Sequence, residues 1–229
     1  MISLLLALAG PAPTASLPEP APEPAVASAR PSAVAAAAAG LSEDARRVSD
    51  WVASSGDNGS RPYIIIDKKT ASLFLFDGKG KPLGQSPVLI GIAPGDDATP
   101  GVGSKNLAEI GPAEKTTPAG RFLAKFGVAA GRQKVLWVDY ATSVALHPIP
   151  KGNPKEKRRQ RMLSPTADDN RITFGCINVP MAIYSRNLRP LFQKKGGYVY
   201  VLPDTKPLEE VFPRLRVQPF LSASASRSP

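Results

Sequence analysis

The chain has 229 residues, enough for one good-sized domain with tails and too few for more than two small ones. Apolar residues make up 42%, slightly low for a globular chain but too high for a disordered one. Lys and Arg (29) outnumber Asp and Glu (19), a formal charge of +10 that favours a polyanionic partner without choosing among nucleic acid, anionic lipid and an acidic cell-wall polymer.

Residues 1–9, "MISLLLALA", form a short apolar run ending Ala7-Leu8-Ala9 before Gly10, the small-x-small pattern of a signal-peptide cleavage site. The run is far too short to span a membrane. It lacks the Lys or Arg that normally precedes such a run, an irregularity that a start upstream of Met1 would account for. No cysteine follows it, so a lipid-anchored form is not expected. The expectation is an exported protein of the periplasm or cell envelope. Residues 10–40 are Pro, Ala, Ser and Glu; their prolines fix φ and remove amide donors, which predicts an extended tether with no core.

A folded domain is expected over 41–203. "SEDARRVSDWVASSGDNGS" (42–60) reads as a short helix with Val48, Trp51 and Val52 on one side, stopped by "SGDNGS". From Tyr63 the pattern turns to strands. "YIIID" and "ASLFLFDGKG" read as a hairpin, and "SPVLIGIA", "GRFLAKF", "VLWVDY", "SVALH", "RITF" and "YVYVL" continue the series. The fold class this predicts is mainly β, a sandwich or barrel with a few short helices. Two long irregular stretches interrupt it, 94–120 and the segment from His147 to Ile172 that carries "KGNPKEKRRQRM"; loops of this length usually border a functional site. Asp96 and Asp97 lack further ligands at regular spacing, so no metal is expected, nor any cofactor. Residues 204–229 read as a tail with one weak helical stretch, "LEEVF".

The chemistry-bearing residues are few. Cys176 is the only cysteine and His147 the only histidine. One cysteine cannot close an intrachain disulfide, which in an exported protein leaves a reactive thiol, an intermolecular link or a small buried hydrophobe. A free thiol ionises near 8.5, about, so a nucleophile needs help at neutral pH. The sequence "NVPMAIYSRNLRPLF" after Cys176 predicts a helix with Pro180 in its first turn, whose positive end would favour the thiolate. His147 would serve as general base if folding brings it near. Gly175 would let a substrate approach the backbone, with nearby amides facing an oxyanion; its plain alternative is a bend at a strand end. Papain-like and NlpC-type peptidases place the cysteine before the histidine, and the order here is the reverse.

At these residues the chain resembles the L,D-transpeptidase (YkuD) family of bacterial cell-wall enzymes. The family motif, a histidine at a strand end followed by Ser/Thr-His-Gly-Cys-apolar-Asn/Arg, corresponds to His147 and to Thr173-Phe174-Gly175-Cys176-Ile177-Asn178. "YIIIDKKTASLFLFDGKG" is similar to the family's opening hairpin and "TTPAGRF" to its Thr-Pro-x-Gly-x-Phe element, so the resemblance covers about residues 42–202. It implies a β-sandwich of mixed sheets and a cysteine acyltransferase acting on peptidoglycan stem peptides: a thioester forms on Cys176, D-Ala leaves, and an amine or water resolves the intermediate. Carried over, Cys176 is the nucleophile, His147 the base, the Pro148 carbonyl its orienter, the Gly175 and Cys176 amides the oxyanion hole, and Asn178 and Arg171 substrate-binding residues.

Two features depart from the family pattern. Phe174 replaces the second motif histidine, and His147 and Cys176 stand 29 positions apart, longer than the motif allows, because of the basic loop "KGNPKEKRRQR". That loop reads either as a lid for wall carboxylates or as a solvated charge run. The alternative reading of the chain is a peptidoglycan-binding module on the same fold, its chemistry lost through Phe174. No aromatic-interleaved basic face supports a nucleic-acid binder, and the Thr-Leu-x-Thr-Cys pattern of a sortase is absent.

Overall fold

The computed structural model describes residues 40–217. The expected signal segment, the tether as far as residue 39 and the chain beyond 217 lie outside the described residues. The first element is the helix Glu43–Ser55. Ser42 caps it by accepting the Ala45 amide (3.1 Å), Glu43 and Asp44 sit in the positive first turn, and Gly56 ends it with φ 67°. Ala45, Val48, Trp51 and Val52 are buried, the face that the spacing predicted.

Ten strands follow: β1 (Tyr63–Asp67), β2 (Ser72–Phe76), β3 (Pro82–Pro87), β4 (Ile90–Gly91), β5 (Gly120–Val128), β6 (Lys134–Asp139), β7 (Val144–Pro148), β8 (Arg171–Thr173), β9 (Ile177–Val179) and β10 (Gly197–Val201). Eight form one mixed sheet in the order β3-β2-β1-β10-β5-β6-β7-β9, and β4 pairs with β8 in parallel. The sheet curls until Leu89, just past β3, exchanges both backbone hydrogen bonds with Asn178 of β9 (2.9 Å each). The mainly β, mixed-sheet architecture is thus as expected, with one curled sheet supplying the facing layers.

Both faces of β1 and β10 are covered, which is why "YIIID" and "YVYVL" read as continuous apolar runs rather than alternating ones. Ile64 and Ile66 enter the main core with Leu73, Leu75, Leu136, Leu146 and Ile177. Tyr63 and Ile65 face the other way, into a second core with Trp51, Phe76 and Tyr200. Each such aliphatic side chain stabilises the fold by about 1.5–3 kcal/mol.

The second core also takes in Leu208, Phe212 and Leu215, so the fold continues past the expected boundary at 203. The short helix Leu208–Val211 is the "LEEVF" stretch, and it docks because its apolar side has a groove to fill. Asp96 secures the approach to it, accepting the amides of Asp204 (2.6 Å), Thr205 (2.8 Å) and Lys206 (2.7 Å). The long stretches 94–120 and 148–171 are not wholly irregular. Single 3-10 turns punctuate both, and the second also holds the helix Arg158–Met162. Among the described residues no helix is long and apolar enough to cross a membrane.

Candidate active site

The parallel pairing of β7 with β9 sets His147 opposite Asn178 and Leu146 opposite Ile177. Because side chains alternate along a strand, paired His147 and Asn178 project to one side, and the turn that carries Cys176 leads directly into β9. Two motif fragments distant in sequence are therefore neighbours for a topological reason.

The turn that delivers Cys176 is built by two threonines. Thr173 Oγ1 donates to the Cys176 carbonyl (2.6 Å) and accepts the Gly175 amide (3.2 Å). Thr117 Oγ1 donates to the Gly175 carbonyl (2.8 Å) and accepts the Gly91 amide (2.9 Å), so the "TTPAGRF" element reaches the site by pinning this turn. Gly175 has φ 121°, and a Cβ there would come within 2.7 Å of the Thr116 carbonyl oxygen. Conformation and space both demand glycine. Of the two amides expected to face an oxyanion, that of Gly175 is thereby turned onto Thr173.

The helix expected with Pro180 in its first turn begins at Met181, one residue further on. Ile177–Val179 is strand, Pro180 is the N-cap residue, and helical structure runs Met181–Ile183, a π turn Tyr184–Leu188, then Arg189–Phe192. The β-branched Ile177 and Val179 and the backbone bonds of Asn178 to Leu89 favour strand there. Macrodipole effects fade within one turn, so Cys176 gains nothing from this helix. Instead the half-buried thiol lies against β7, its Sγ 3.7 Å from the Ser143 carbonyl oxygen. Burial pushes the thiol up from its ordinary value, against a hydrogen bond from the Ala145 amide and the positive charge of Arg158.

His147 Nδ1 lies 2.8 Å from the Pro148 carbonyl oxygen, the partner that the motif implied. A carbonyl only accepts, which assigns the proton to Nδ1 and leaves Nε2 a lone pair. Nε2 faces the Asn178 Nδ2 group at 3.4 Å, consistent with that tautomer. Asn178 is buried, and its Oδ1 accepts from Arg158 (2.7 Å), whose Nε donates to Glu156 (2.6 Å). Burial pushes the imidazole down from its ordinary value; the bond to Pro148 opposes this and the Arg158 charge adds to it. Among the described residues thiol and imidazole share the site without a direct hydrogen bond between them, each held by its own backbone partner.

Phe174, where the family motif has histidine, is 40% exposed, with Lys115 Nζ 3.8 Å from its ring centroid. It forms a rim beside Cys176 rather than part of the core. The guanidinium of Arg171, expected to bind substrate, pairs with Asp204 (2.7 Å). Asp96 binds Lys68 and three backbone amides, and among the described residues no group of three or more His, Cys, Asp or Glu side chains is placed to hold a metal ion. Sequence reasoning missed Arg158 as a member of the site. Its only signal was membership of a basic insertion that begins next to His147.

No family model matches the chain, and no curated protein matches it. Solved structures similar to it are L,D-transpeptidases. The catalytic domain of the Enterococcus faecium enzyme is 16% identical, with a TM-score of 0.33 over 62% of this chain and 98% of that one. A cysteine-to-serine variant of an Enterococcus faecium L,D-transpeptidase is 17% identical, with a TM-score of 0.34 over 62% of this chain and 50% of that one. The L,D-transpeptidase of Xylanimonas cellulosilytica DSM 15894 is 13% identical, with a TM-score of 0.36 over 62% and 60%. The chain thus spans between half and two thirds of the length of the last two.

Proposed function

We propose that the chain is a cell-envelope cysteine acyltransferase of the L,D-transpeptidase type, acting on peptidoglycan stem peptides. The observation that carries this reading is the β7–β9 pairing, which sets His147 against Asn178, together with the Cys176 thiol lying against the Ser143 carbonyl, four residues before His147. In the reaction, His147 Nε2 takes the thiol proton as Sγ attacks the carbonyl that links the third stem residue to the terminal D-Ala. The tetrahedral intermediate collapses as the imidazolium returns that proton to the leaving D-Ala amine, and the thioester remains on Cys176. An acceptor amine or water then attacks the thioester, and His147 takes its proton and passes it to the departing thiolate. The Asn178 contact to Nε2, at 3.4 Å, is long enough to yield when the thiol turns toward the ring. The Pro148 carbonyl stabilises the imidazolium through Nδ1–H. An acidic wall polymer suits a chain of net charge +10, and nothing in this chemistry calls for a cofactor.

A second reading is a wall-binding module with weakened chemistry. It is favoured by the absence of a thiol–imidazole hydrogen bond among the described residues and by a thiol pushed toward its neutral form. Intact-mass measurement after mixing the protein with a purified disaccharide-tetrapeptide separates the two. The acyltransferase gives an adduct on wild type with release of D-Ala, and none on Cys176→Ala. Folded wild-type protein that binds isolated sacculi but forms no adduct would make it the binding module.

A further inference from the structure

The inserted loop carries six cations over 151–161 and one acid, Glu156. Most of these side chains are exposed, as a solvated charge run would be. Arg158 is different: its side chain is 14% exposed and turned into the site. Its Nε is held by Glu156 at 2.6 Å, and one terminal nitrogen donates to Asn178 Oδ1 at 2.7 Å. That bond decides which way the Asn178 amide faces, because a reversed amide would set its NH2 group against a guanidinium that can only donate. The amide NH2 is thereby aimed at His147 Nε2. Pro148 holds the other side of the ring, so the imidazole is braced at both nitrogens.

We propose that Arg158 is a positioning residue for the Cys176–His147 pair: it orients Asn178 against the imidazole and places a positive charge beside both reacting side chains. This role rests on the reading of those two residues as the reacting pair. Its physical effects do not require turnover. Among the described residues, Arg158, with Glu156 on its Nε, is the charged group that acts on both ring and thiol, and Lys115 lies over the Phe174 ring, two residues from Cys176; backbone comes from Ser143, just before β7, and from Ala145 and Pro148 within it. A positive charge favours thiolate over thiol and disfavours imidazolium. The insertion that lengthens the motif thus does for the pair what the distant helix end does not, which gives the loop a function inside the site.

One histidine and one cysteine make the test direct. The imidazole of the isotope-labelled full chain is titrated by NMR, and the pH profile of thiol alkylation by iodoacetamide is measured alongside. In wild type the ring is the Nδ1–H tautomer and titrates below the ordinary histidine value. In Arg158→Ala both profiles shift to higher pH and alkylation at neutral pH slows. Arg158→Lys restores both. Arg158→Gln, which keeps a donor without the charge, shifts them as alanine does and serves in its place if the alanine variant melts early. Arg159→Ala, an exposed neighbour, leaves both at their wild-type positions. Superimposable wild-type and Arg158→Ala profiles in folded protein would overturn the proposal. Lack of an acyl adduct, with the profiles shifted as described, would instead count against the acyltransferase reading and leave the role of Arg158 in place.

Discussion

Two polar clusters lie within this fold, and they are built on opposite terms. Around Lys68 every group is answered. Its Nζ, fully buried, donates to Gly95 O (2.5 Å), Asp96 Oδ1 (2.8 Å) and Thr117 O (2.9 Å), with Asp204 at 3.5 Å and Arg171 beyond it. Around Cys176 the backbone turn and Arg158 are held by short bonds, but the contacts of the thiol and of the ring nitrogen Nε2 are long: 3.7 Å from Sγ to Ser143 O and 3.4 Å from Asn178 to His147 Nε2. A closed network fixes structure, whereas slack hydrogen bonds leave donors and acceptors able to change partner. The two clusters nevertheless share a strand. Arg171 opens β8 in the first, and Thr173 ends it in the second by holding the Cys176 turn.

The comparison breaks most sharply at Asp96. Asp96→Asn leaves buried Lys68 with Asp204 alone as counter-charge, at 3.5 Å and shared with Arg171, and we expect a loss of about 3 kcal/mol in unfolding free energy. Burial alone would raise the Asp96 carboxyl, but Lys68 and the amides of Asp204 and Lys206, with the Thr205 hydroxyl, hold it far below the usual carboxylate range. A depressed folded value means that the stabilisation is fully present above the unfolded value, about 3.9, and is lost as pH falls toward the folded one. His147, also depressed, acts in the same direction in a separate window: below about 6.5 the unfolded chain takes up a proton that the folded ring resists. Wild type should therefore lose stability on acidification in two stages, with Asp96→Asn lacking the lower one and His147→Ala the upper. Melting temperatures across pH check both. An Asp96→Asn melting point equal to wild type at neutral pH would show that the Lys68 cluster is not what holds the C-terminal segment down.

Thr117 sharpens the comparison because it belongs to both regions, giving its carbonyl to Lys68 and its hydroxyl to the Gly175 turn. Thr117→Val keeps the first contact and removes the second, stranding the Gly91 amide and the Gly175 carbonyl. The expected cost is about 1–3 kcal/mol in stability. Acyl-adduct formation should fall by more than the melting shift alone explains, since the turn that aims Cys176 loosens. Stability loss with unchanged adduct formation would show that Thr173 suffices to hold the turn.

The legible and illegible parts of the chain divide along similar lines. The capped helix 43–55 and most of the strands could be read because their causes are local: a serine before two acids, and β-branched runs closed by Gly, Pro or Asp. His147 and Cys176 were singled out by residue type and motif. Arg158 was not, because it reaches Asn178 through a loop path that no periodicity encodes. A fully buried lysine runs against the general preference of that residue for the surface, and nothing within Asp67–Lys68–Lys69 announces it. The helix from Met181 is legible in its spacing and in Pro180, whereas the strand Ile177–Val179 that separates it from Cys176 rests on long-range bonds between Leu89 and Asn178. The pairing of Arg171 with Asp204 is illegible because the two lie 33 positions apart in sequence.

The smallest expected effect is at Phe174, and it separates side chain from backbone in the slack cluster. Its ring is exposed and covered by Lys115, a contact worth about 0.5–1 kcal/mol at such a site. Phe174→His gives up part of that contact but keeps the amide and the Thr173–Gly175–Cys176 turn, so the melting temperature should hardly move. Lys115 beside the new imidazole would favour its neutral form, which prevents it from supplying a positive charge to the thiol. Adduct formation and alkylation should then stay within roughly threefold of wild type, a difference of about 0.7 kcal/mol. A gain of tenfold or more would mean that a polar side chain at this position, rather than the burial of Cys176 and the reach of His147, limits the pair; the contrast between the two clusters would then lie in one residue rather than in how tightly each is bonded.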